Sequence, residues 1–525
     1  MIKQLVTSRR SLIVICVILF LTFLDNTIVS VVLANIQTDL KAGVQDLQWV
    51  VDSYMLVFAM LMLTGGTIGD LFGRKKVMLS GVLLFIAGSA VAMLANSVDM
   101  LVTGRIIMGV GAAASEPGTL SMIRHLYPEK SSRSRALGVW AAVSGIALAF
   151  GPIIGGVIIG LSDWRWVFGF SVVFGALAFI AGFLVLPENS DPKGRKLDVT
   201  GLISGAAAIS SLISALIVGE NSGYGNWLIV FLFALSFVSA IAFIFIEWHK
   251  KDPVLPLSFF RKVPFTIANL VAFTANFGIF AVFFFVALYL QFIAGFDGYQ
   301  IAIAFISMTA AIVVGALFAG RWNAVHHTAL LTIFGTLLAG IGIFILNGVI
   351  EPNIGTATLA WALVVPGLGF GICLLTMTNS ILTIVPAERS GMAASTVNTF
   401  RELGGVFGVA VLGSIVNAQL TTGLIAKLKL LGMPANFQTF VIYAITHGGN
   451  TPAGVSVSPA ILAQHSKLIQ QVTQAAYDAF GNGLGIALNL AGALLLLTAL
   501  IAGVIYLQRK HSIYQHVVDA LVSTS

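Results

Sequence analysis

Five ionisable side chains lie inside long apolar stretches of this 525-residue sequence: Asp25, Arg105, Glu116, Arg401 and Glu402. A charged side chain at the centre of a bilayer costs about 2.5–3.5 kcal/mol on insertion scales, so each one needs a buried partner, a water-filled cavity or an exchangeable proton. Carboxylates in this setting can take up protons and can attract cationic ligands. The residues therefore point to proton exchange and ion pairing rather than to an enzyme.

Metal chemistry and ATP hydrolysis find no support in the sequence. The two cysteines, Cys16 and Cys373, both fall within apolar segments, and there is no CxxC or His/Cys cluster that could hold a metal. The phosphate-binding pattern G-x-x-x-x-G-K-S/T does not occur, and the chain contains no Gly-Lys dipeptide. We therefore expect no cofactor, and any uphill transport must draw on an ion gradient.

The composition indicates an all-α membrane protein with many spans. Hydrophobic residues make up 58% of the chain and charged residues 9%, with a mean hydropathy of +0.98. Soluble domains carry about 25% charged residues. An apolar run needs about 20 residues to cross the bilayer core. Such runs predict fourteen transmembrane helices, at 11–34, 49–69, 76–95, 100–123, 136–160, 165–186, 197–218, 227–247, 264–291, 299–320, 328–349, 356–384, 391–416 and 482–507.

Basic residues are distributed unequally between the two sides that fourteen spans define. Of the 28 Lys and Arg residues, 21 fall on the side of the termini, five on the other side and two, Arg105 and Arg401, within spans. Because positively charged loops remain in the cytoplasm, we expect both termini to be cytoplasmic. The net charge of +7 then reflects topology. A nucleic-acid partner is not expected, whereas membrane lipid is.

Four short motifs resemble those of the major facilitator superfamily, and specifically of its fourteen-helix drug/proton antiporters. They are a glycine-containing loop with an acid and a basic cluster, a first-helix Asp motif, a fourth-helix Arg motif and a fifth-helix Gly-Pro motif. In this sequence they are Gly66 to Lys76 with Asp70 and Arg74, Leu24 to Val29 with Asp25, Arg105 to Gly111, and Gly151-Pro152-Ile-Ile-Gly155-Gly156. The resemblance covers essentially the whole chain.

The resemblance implies two six-helix halves with two additional helices between them. The corresponding domains are 1–190, 191–250 and 251–525, the last including a long outer loop at 417–481. Within the first motif, glycine permits a tight turn, and Asp70 can meet a positive helix end or an arginine of the other half. We expect conformational change to involve Arg74, Arg401 and the Gly-Pro motif. In that motif, Pro152 removes a helical hydrogen bond and makes the fifth span bendable.

The embedded charges of the first half have distinct expected roles. Asp25 and Arg105 lie at comparable depth and can pair. Arg105 and Glu116 are eleven residues, or three helical turns, apart and so share one face of a helix. Glu116 departs from the uncharged residue more often found in the family. It is either a second proton site or a neutral, hydrogen-bonded acid that holds helices together.

The embedded charges of the second half are adjacent in sequence. Glu402 lies near mid-membrane, with Asn398 and Ser395 on its face of the helix. Arg401 should point away from Glu402, which is left to find a partner on another helix. We expect Arg401 to meet the loop around Asp70 or another acid. Glu402 has either a proton or substrate role or a structural pairing role.

Substrate contacts are expected from an acid at the outer membrane surface and from two polar and aromatic faces. Asp52 follows Trp49 in a pattern that, by the same resemblance, is implicated in cation recognition; a solvated interfacial acid is the alternative. A stripe of aromatic and amide side chains suits large amphipathic ligands, although plain helix packing explains it as well. Its members are Asn269, Phe273, Asn276 and Phe280 in span nine, with Asn379 in span twelve.

The resemblance implies a proton-coupled antiporter that exports lipophilic, cationic drugs by alternating access. We expect a monomer in the bacterial cytoplasmic membrane, with Asp25, Glu116, Glu402 and Arg105 in proton coupling. Export of one endogenous metabolite, antibiotic, lipid or amino acid is an alternative. A channel or a non-transporting sensor is a second alternative from a different class.

Overall fold

The computed structural model describes residues 2–42, 44–189, 198–251, 253–296, 298–324, 328–352, 354–430 and 466–523. These residues are almost entirely helical and contain no strand. Thirteen of their helices are long and apolar enough to cross a membrane, and a bent pair, Lys130–Leu148 with Ile153–Leu161, makes fourteen. The predicted all-α, fourteen-span fold is therefore confirmed.

Fifteen α-helices are described. In chain order they are α1 (Ile2–Leu40), α2 (Val44–Phe72), α3 (Arg74–Met93), α4 (Val98–Leu126), α5 (Lys130–Leu161), α6 (Arg165–Val185), α7 (Val199–Ser222), α8 (Trp227–His249), α9 (Val263–Phe280), α10 (Ala287–Phe292), α11 (Gly298–Asn323), α12 (Thr328–Val349), α13 (Thr356–Ile384), α14 (Ser390–Leu430) and α15 (Ser466–Ser523). A π-helical segment, Ala281–Val286, joins α9 to α10, so these three elements form the single predicted span 264–291.

The predicted outer loop 417–481 is helical at both of its ends. α14 continues to Leu430 and α15 begins at Ser466, because Leu424 on the first helix packs against Ala475 and Ala476 on the second. The central part of the loop, 431–465, lies outside the described residues. So does the boundary at 190 and 191, and the division into three domains stays a prediction.

Two groups of helices meet along two helix pairs. α1 to α6 pack with one another, as do α9 to α15, and the groups contact each other mainly through α2 with α14 and α5 with α11. We call these groups the first and second halves. α7 and α8 pack together, and α7 also contacts α2 and α14. Embedded side chains of α1, α2, α4 and α14 are thereby brought to the junction of the halves.

The turn between α2 and α3 depends on one glycine of the loop motif. Gly73 has φ of 115°, a conformation that side chains rarely adopt. Glu188 then accepts hydrogen bonds from the backbone N–H groups of Lys75 (3.1 Å) and Lys76 (3.2 Å) at the start of α3. Gly66 is not part of this turn. It lies inside α2, where a Cβ atom would collide with Gly391 and the Ser395 side chain, so it permits close contact between the halves.

Candidate functional site: ion pairs at the junction of the halves

The carboxylate of Asp25 and the guanidinium of Arg105 form a buried ion pair, each side chain only 1% exposed. Arg105 also donates from Nε to the carbonyl of Val50 (2.8 Å), and its guanidinium lies 4.5 Å from the centre of the Tyr54 ring. The Tyr54 hydroxyl in turn donates to the carbonyl of Thr22 (3.2 Å). The anticipated pair is therefore present, and it is electrically balanced within the first half.

A second cluster joins the two halves. Arg401 on α14 donates from Nη2 to Oε1 of Glu116 on α4 (2.9 Å) and to Oε1 of its neighbour Glu402 (3.3 Å). Asn398 donates from Nδ2 to the same Glu116 oxygen (3.0 Å). The Arg401 guanidinium also lies 4.7 Å from the centre of the Phe23 ring on α1. The cluster of Glu116, Asn398, Arg401 and Glu402 is called the junction cluster below.

The junction cluster shows where the Arg401 side chain points and which acid of the other half it contacts. Arg401 does not point away from Glu402, because its long side chain reaches back far enough for one terminal nitrogen to contact both acids. Its cross-half partner is the acid Glu116 and not the Asp70 loop. Glu116 is therefore hydrogen-bonded across the halves, as the helix-holding interpretation requires. A proton-carrying role for it is not thereby tested.

The charges of the junction cluster do not balance. Two carboxylates share one guanidinium, and Glu116 Oε2 and Arg401 Nη1 are buried without a hydrogen-bond partner. Glu402 is 13% exposed, whereas Glu116 is 1% and Arg401 2% exposed. When all three groups are ionised, the cluster carries one uncompensated negative charge. Glu402 is the least buried member of the cluster.

The halves are in close contact at the end of the bundle that carries Arg74, Lys75 and Lys76, which we call the basic end. Asp70 accepts from Arg74 (2.8 Å) and from the backbone N–H groups of Gly391 and Met392 (3.0 Å each). These N–H groups begin α14, so the carboxylate lies at the positive end of a helix of the other half. Ser121 and Ser390 are also hydrogen-bonded across the halves (3.1 Å).

The residues predicted to contact substrate are mainly engaged in packing. The Asn269 and Asn276 amides donate to carbonyls one turn earlier in their own helix, Phe265 (2.9 Å) and Ala272 (3.0 Å). Phe273 packs against Phe407 of α14, with ring centres 5.7 Å apart. A role in binding stays a prediction for all of them.

The other three predicted contacts have different surroundings. Phe280 is only partly buried and faces Gly405 of α14. Asn379 is fully buried and accepts from Ser134 of the first half (3.4 Å), so it belongs to the contact between the halves. Asp52 is partly buried near the start of α2. Their binding roles are likewise untested.

The Gly-Pro motif lies where α5 bends by 42°. Proline lacks a backbone N–H, so Pro152 leaves the carbonyl of Leu148 without its usual helical donor. The hydroxyl of Thr27, on α1, donates to that carbonyl (3.0 Å). Sequence reasoning identified the motif but not this partner. Thr27 lies two residues after Asp25, so the bend of α5 is directly linked to the helix that carries the first ion pair.

Replacing Gly151 with alanine is expected to inactivate and destabilise the protein. A Cβ atom at Gly151 would overlap Thr27 Oγ1 and approach the Ile28 nitrogen to 2.9 Å, whereas nothing lies within 4 Å of a Cβ atom at Gly156. Gly156→Ala, the matched control, should be neutral or stabilise the helix by up to about 1 kcal/mol. Unfolding temperature in detergent and transport rate measure both variants. Equal tolerance of the two would contradict a tight α1–α5 contact.

Comparison with known proteins agrees with this geometry. The family profile described as Major Facilitator Superfamily matches residues 15–409. The chain is 30% identical over 415 residues to the methylenomycin A resistance protein of Bacillus subtilis (strain 168), covering 79% of this chain and 89% of that one. It is 29% identical over 477 residues to the multidrug resistance protein Stp of Mycobacterium tuberculosis (strain CDC 1551 / Oshkosh), covering 91% and 88%.

A solved structure shares the fold. The proton:xylose symporter XylE superposes with a TM-score of 0.60 at 14% identity, covering 94% of each chain. At this identity the similarity concerns the fold alone. Because the family profile spans most of the chain and a relative of 30% identity covers more than two thirds of it, this protein belongs to the Major Facilitator Superfamily, whose members are membrane transporters and not enzymes.

Proposed function

We propose that the protein is a proton-coupled antiporter that exports lipophilic, cationic drugs across the bacterial cytoplasmic membrane. Two of its relatives are named for resistance to antibiotics or to multiple drugs. A membrane transporter gives resistance by moving the compound out of the cell. The observation that carries the proton and cation part of the proposal is that two carboxylates of the junction cluster share one guanidinium, with Glu402 the least buried of the three groups.

In this proposal the basic end faces the cytoplasm, as the distribution of basic residues favours. The contacts of Asp70 and of the Ser121–Ser390 pair then close the cytoplasmic side. Glu402 is accessible from outside, where it can exchange an outgoing cation for an incoming proton. Alternating access requires these cytoplasmic contacts to open later in the transport cycle.

The remaining residues have supporting roles in the proposal. The balanced pair of Asp25 and Arg105 positions α1 and α4 and can change its protonation with the cycle. Asp52 attracts cations near the outer surface. Phe273 and Phe280, which keep part of their surface exposed, offer aromatic faces to a flat ligand. No bound cofactor is needed, because a pH difference across the membrane supplies about 1.4 kcal/mol per pH unit for each proton that enters.

A second candidate is export of one particular compound. The relative named for methylenomycin A resistance favours it, since that name refers to a single antibiotic. The two candidates share the proton chemistry and differ in the substrate contacts. A resistance panel distinguishes them, because an exporter of one compound protects against a single chemical class.

Purified protein in liposomes is expected to exchange a fluorescent lipophilic cation for protons. A proton gradient should drive uptake of the dye in inverted orientation, and an uncoupler should abolish it. Glu402→Gln should lose this coupling, because an amide cannot take up the exchanged proton. Glu351→Gln, an exposed acid in the turn after α12, is the matched control and should behave as the parent. Dye uptake that is insensitive to the uncoupler would overturn the proposed antiport.

A further inference from the structure

Arg401 is the one basic group shared by the two carboxylates of the junction cluster. Its bond to Glu116 crosses between the halves, whereas its bond to Glu402 stays within α14. Here the cross-half distance is 2.9 Å and the distance within α14 is 3.3 Å. With the basic end closed, Arg401 therefore favours the partner on the other half.

We propose that Arg401 exchanges its partner between Glu116 and Glu402 as the halves move, and that the carboxylate it leaves is neutralised by one proton or one monovalent cation. The inference rests on the proposed function and specifies how that function is regulated at the same site. A buried carboxylate without a partner is costly, so the two acids cannot both stay ionised when Arg401 pairs fully with one of them.

The exchange defines two states. In the state with the basic end closed, Arg401 pairs with Glu116 and holds the halves together, while Glu402 carries a proton or a cation. In the state with the basic end open, α4 and α14 separate, Arg401 pairs with Glu402 and Glu116 carries the proton. Between them, the O–H bond of Glu402 breaks and an O–H bond forms at the free oxygen of Glu116, Oε2. Glu116 then releases the proton at the basic end as a monovalent cation takes its place beside the carboxylate, and this cation passes to Glu402 when the basic end closes.

A limit on the exchanged charge follows. One guanidinium can pair fully with only one of the two carboxylates. The other carboxylate is then a single vacancy, a site with no cation beside it. A proton and a monovalent cationic substrate therefore compete for Glu402. Among the described residues, Tyr54 of α2 interacts electrostatically both with the acids of the cluster and with the pair of Asp25 and Arg105. That pair is balanced, so it does not compensate the vacancy. An exchange of one proton per monovalent cation at this site is therefore electroneutral.

Disulfide cross-linking at the basic end tests the exchange without any transport measurement. Ser121 and Ser390 have hydroxyl oxygens 3.1 Å apart across the halves, so cysteines there can form a disulfide only when this end is closed. The parent is Ser121→Cys with Ser390→Cys, in a background in which the buried Cys16 and Cys373 are replaced by alanine. Cross-link yield under mild oxidation, measured from pH 5 to pH 9 in the full-length protein, reports the closed population.

The two acids should shift this yield in opposite directions. Glu116→Gln offers Arg401 only a neutral amide oxygen and leaves Glu402 as its stronger partner, so yield should fall by at least about threefold. Glu402→Gln removes the competing partner, so yield should rise and should keep only the pH dependence of thiol oxidation itself. A residue that only supports folding would not give opposite signs. Glu351→Gln should match the parent, and Glu116→Asp, which keeps the charge but shortens the reach, replaces Glu116→Gln should the latter not fold.

Equal shifts for both acids, or no shift for either, would overturn the partner exchange. The result is independent of the liposome assay. Opposite shifts without proton-coupled dye transport leave the exchange standing and reject the antiport. Proton-coupled dye transport without opposite shifts in cross-link yield would support the antiport and reject the partner exchange.

Discussion

Replacing Arg401 with glutamine is expected to abolish transport and to destabilise the protein more than replacing either of its acidic partners. The variant leaves Glu116 and Glu402 close together in a buried site without a cation. Removal of one member of a buried ionic network typically costs about 3–5 kcal/mol, because the remaining charge is uncompensated. The cross-half bond is lost at the same time.

A second substitution should repair part of this damage. In Arg401→Gln with Glu116→Gln, one acid and its charge are gone, and the two amides can hydrogen-bond across the halves. The unfolding temperature in detergent should recover toward that of the parent, whereas transport should not, because the exchangeable partner is absent. Arg135→Gln, an exposed arginine at the basic end, is the control and should change neither quantity. Similar stability of the single and double variants would show that the charge imbalance is not what destabilises the protein.

The two buried ionic sites differ in a way that bears on the cycle. Asp25 and Arg105 are one acid and one base within the first half, and every polar contact of Arg105 stays in that half. The junction cluster spans both halves and has an acid in excess. A balanced pair within one half needs no exchanged charge to neutralise it, whereas an unbalanced cluster between the halves needs a proton or a cation when Arg401 pairs with one of its acids. The uncompensated charge therefore resides at Glu116 and Glu402 rather than at Asp25.

The spans could be predicted because a bilayer allows few alternatives. Each helix must satisfy its backbone internally and offer about 20 apolar residues, so the cuts in hydropathy coincide with the helices. The Gly73 turn was also readable, because it depends on local chemistry. The sequence left open whether Asp70 meets a helix end or an arginine of the other half, because its partner at the start of α14 lies 321 residues further along the chain. The extension of α14 to Leu430 could not be predicted from the sequence, because it depends on packing against α15, far away in the chain.

The site was only partly readable from the sequence. Depth along a helix placed Asp25 beside Arg105, because both positions are set by helical rise. The partner of Arg401 depends on how α4 and α14 approach each other, which the sequence does not show. Adjacent positions on a helix point in different directions, but the Arg401 side chain is long enough to contact its neighbour Glu402 nevertheless. Thr27 and Tyr54 gave no signal, because a hydroxyl or an aromatic ring in an apolar helix is common. Only the three-dimensional contacts identify them.

Replacing Arg105 with glutamine is expected to cause the other large loss. Asp25 would be left buried with no cation, at a cost of about 3–5 kcal/mol, and the hydrogen bond to the carbonyl of Val50 would be weakened. Asp25→Asn with Arg105→Gln removes both charges and retains similar volume. Replacing a buried ion pair with neutral groups is often nearly neutral for stability. The double variant should therefore unfold at a higher temperature than Arg105→Gln.

An exposed ion pair provides the comparison for this result. Arg165 contacts Asp39 at 2.8 Å with side chains 29% and 46% exposed, and the contact holds the pKa of Asp39 below its ordinary value. Solvent screens such a pair and it contributes little to stability, so Arg165→Gln should change the unfolding temperature far less than Arg105→Gln. If both charges of the inner pair are dispensable, the double variant will also transport, and the pair is structural. If the double variant is as stable as the parent but does not transport, the charges of Asp25 and Arg105 act in the transport cycle itself.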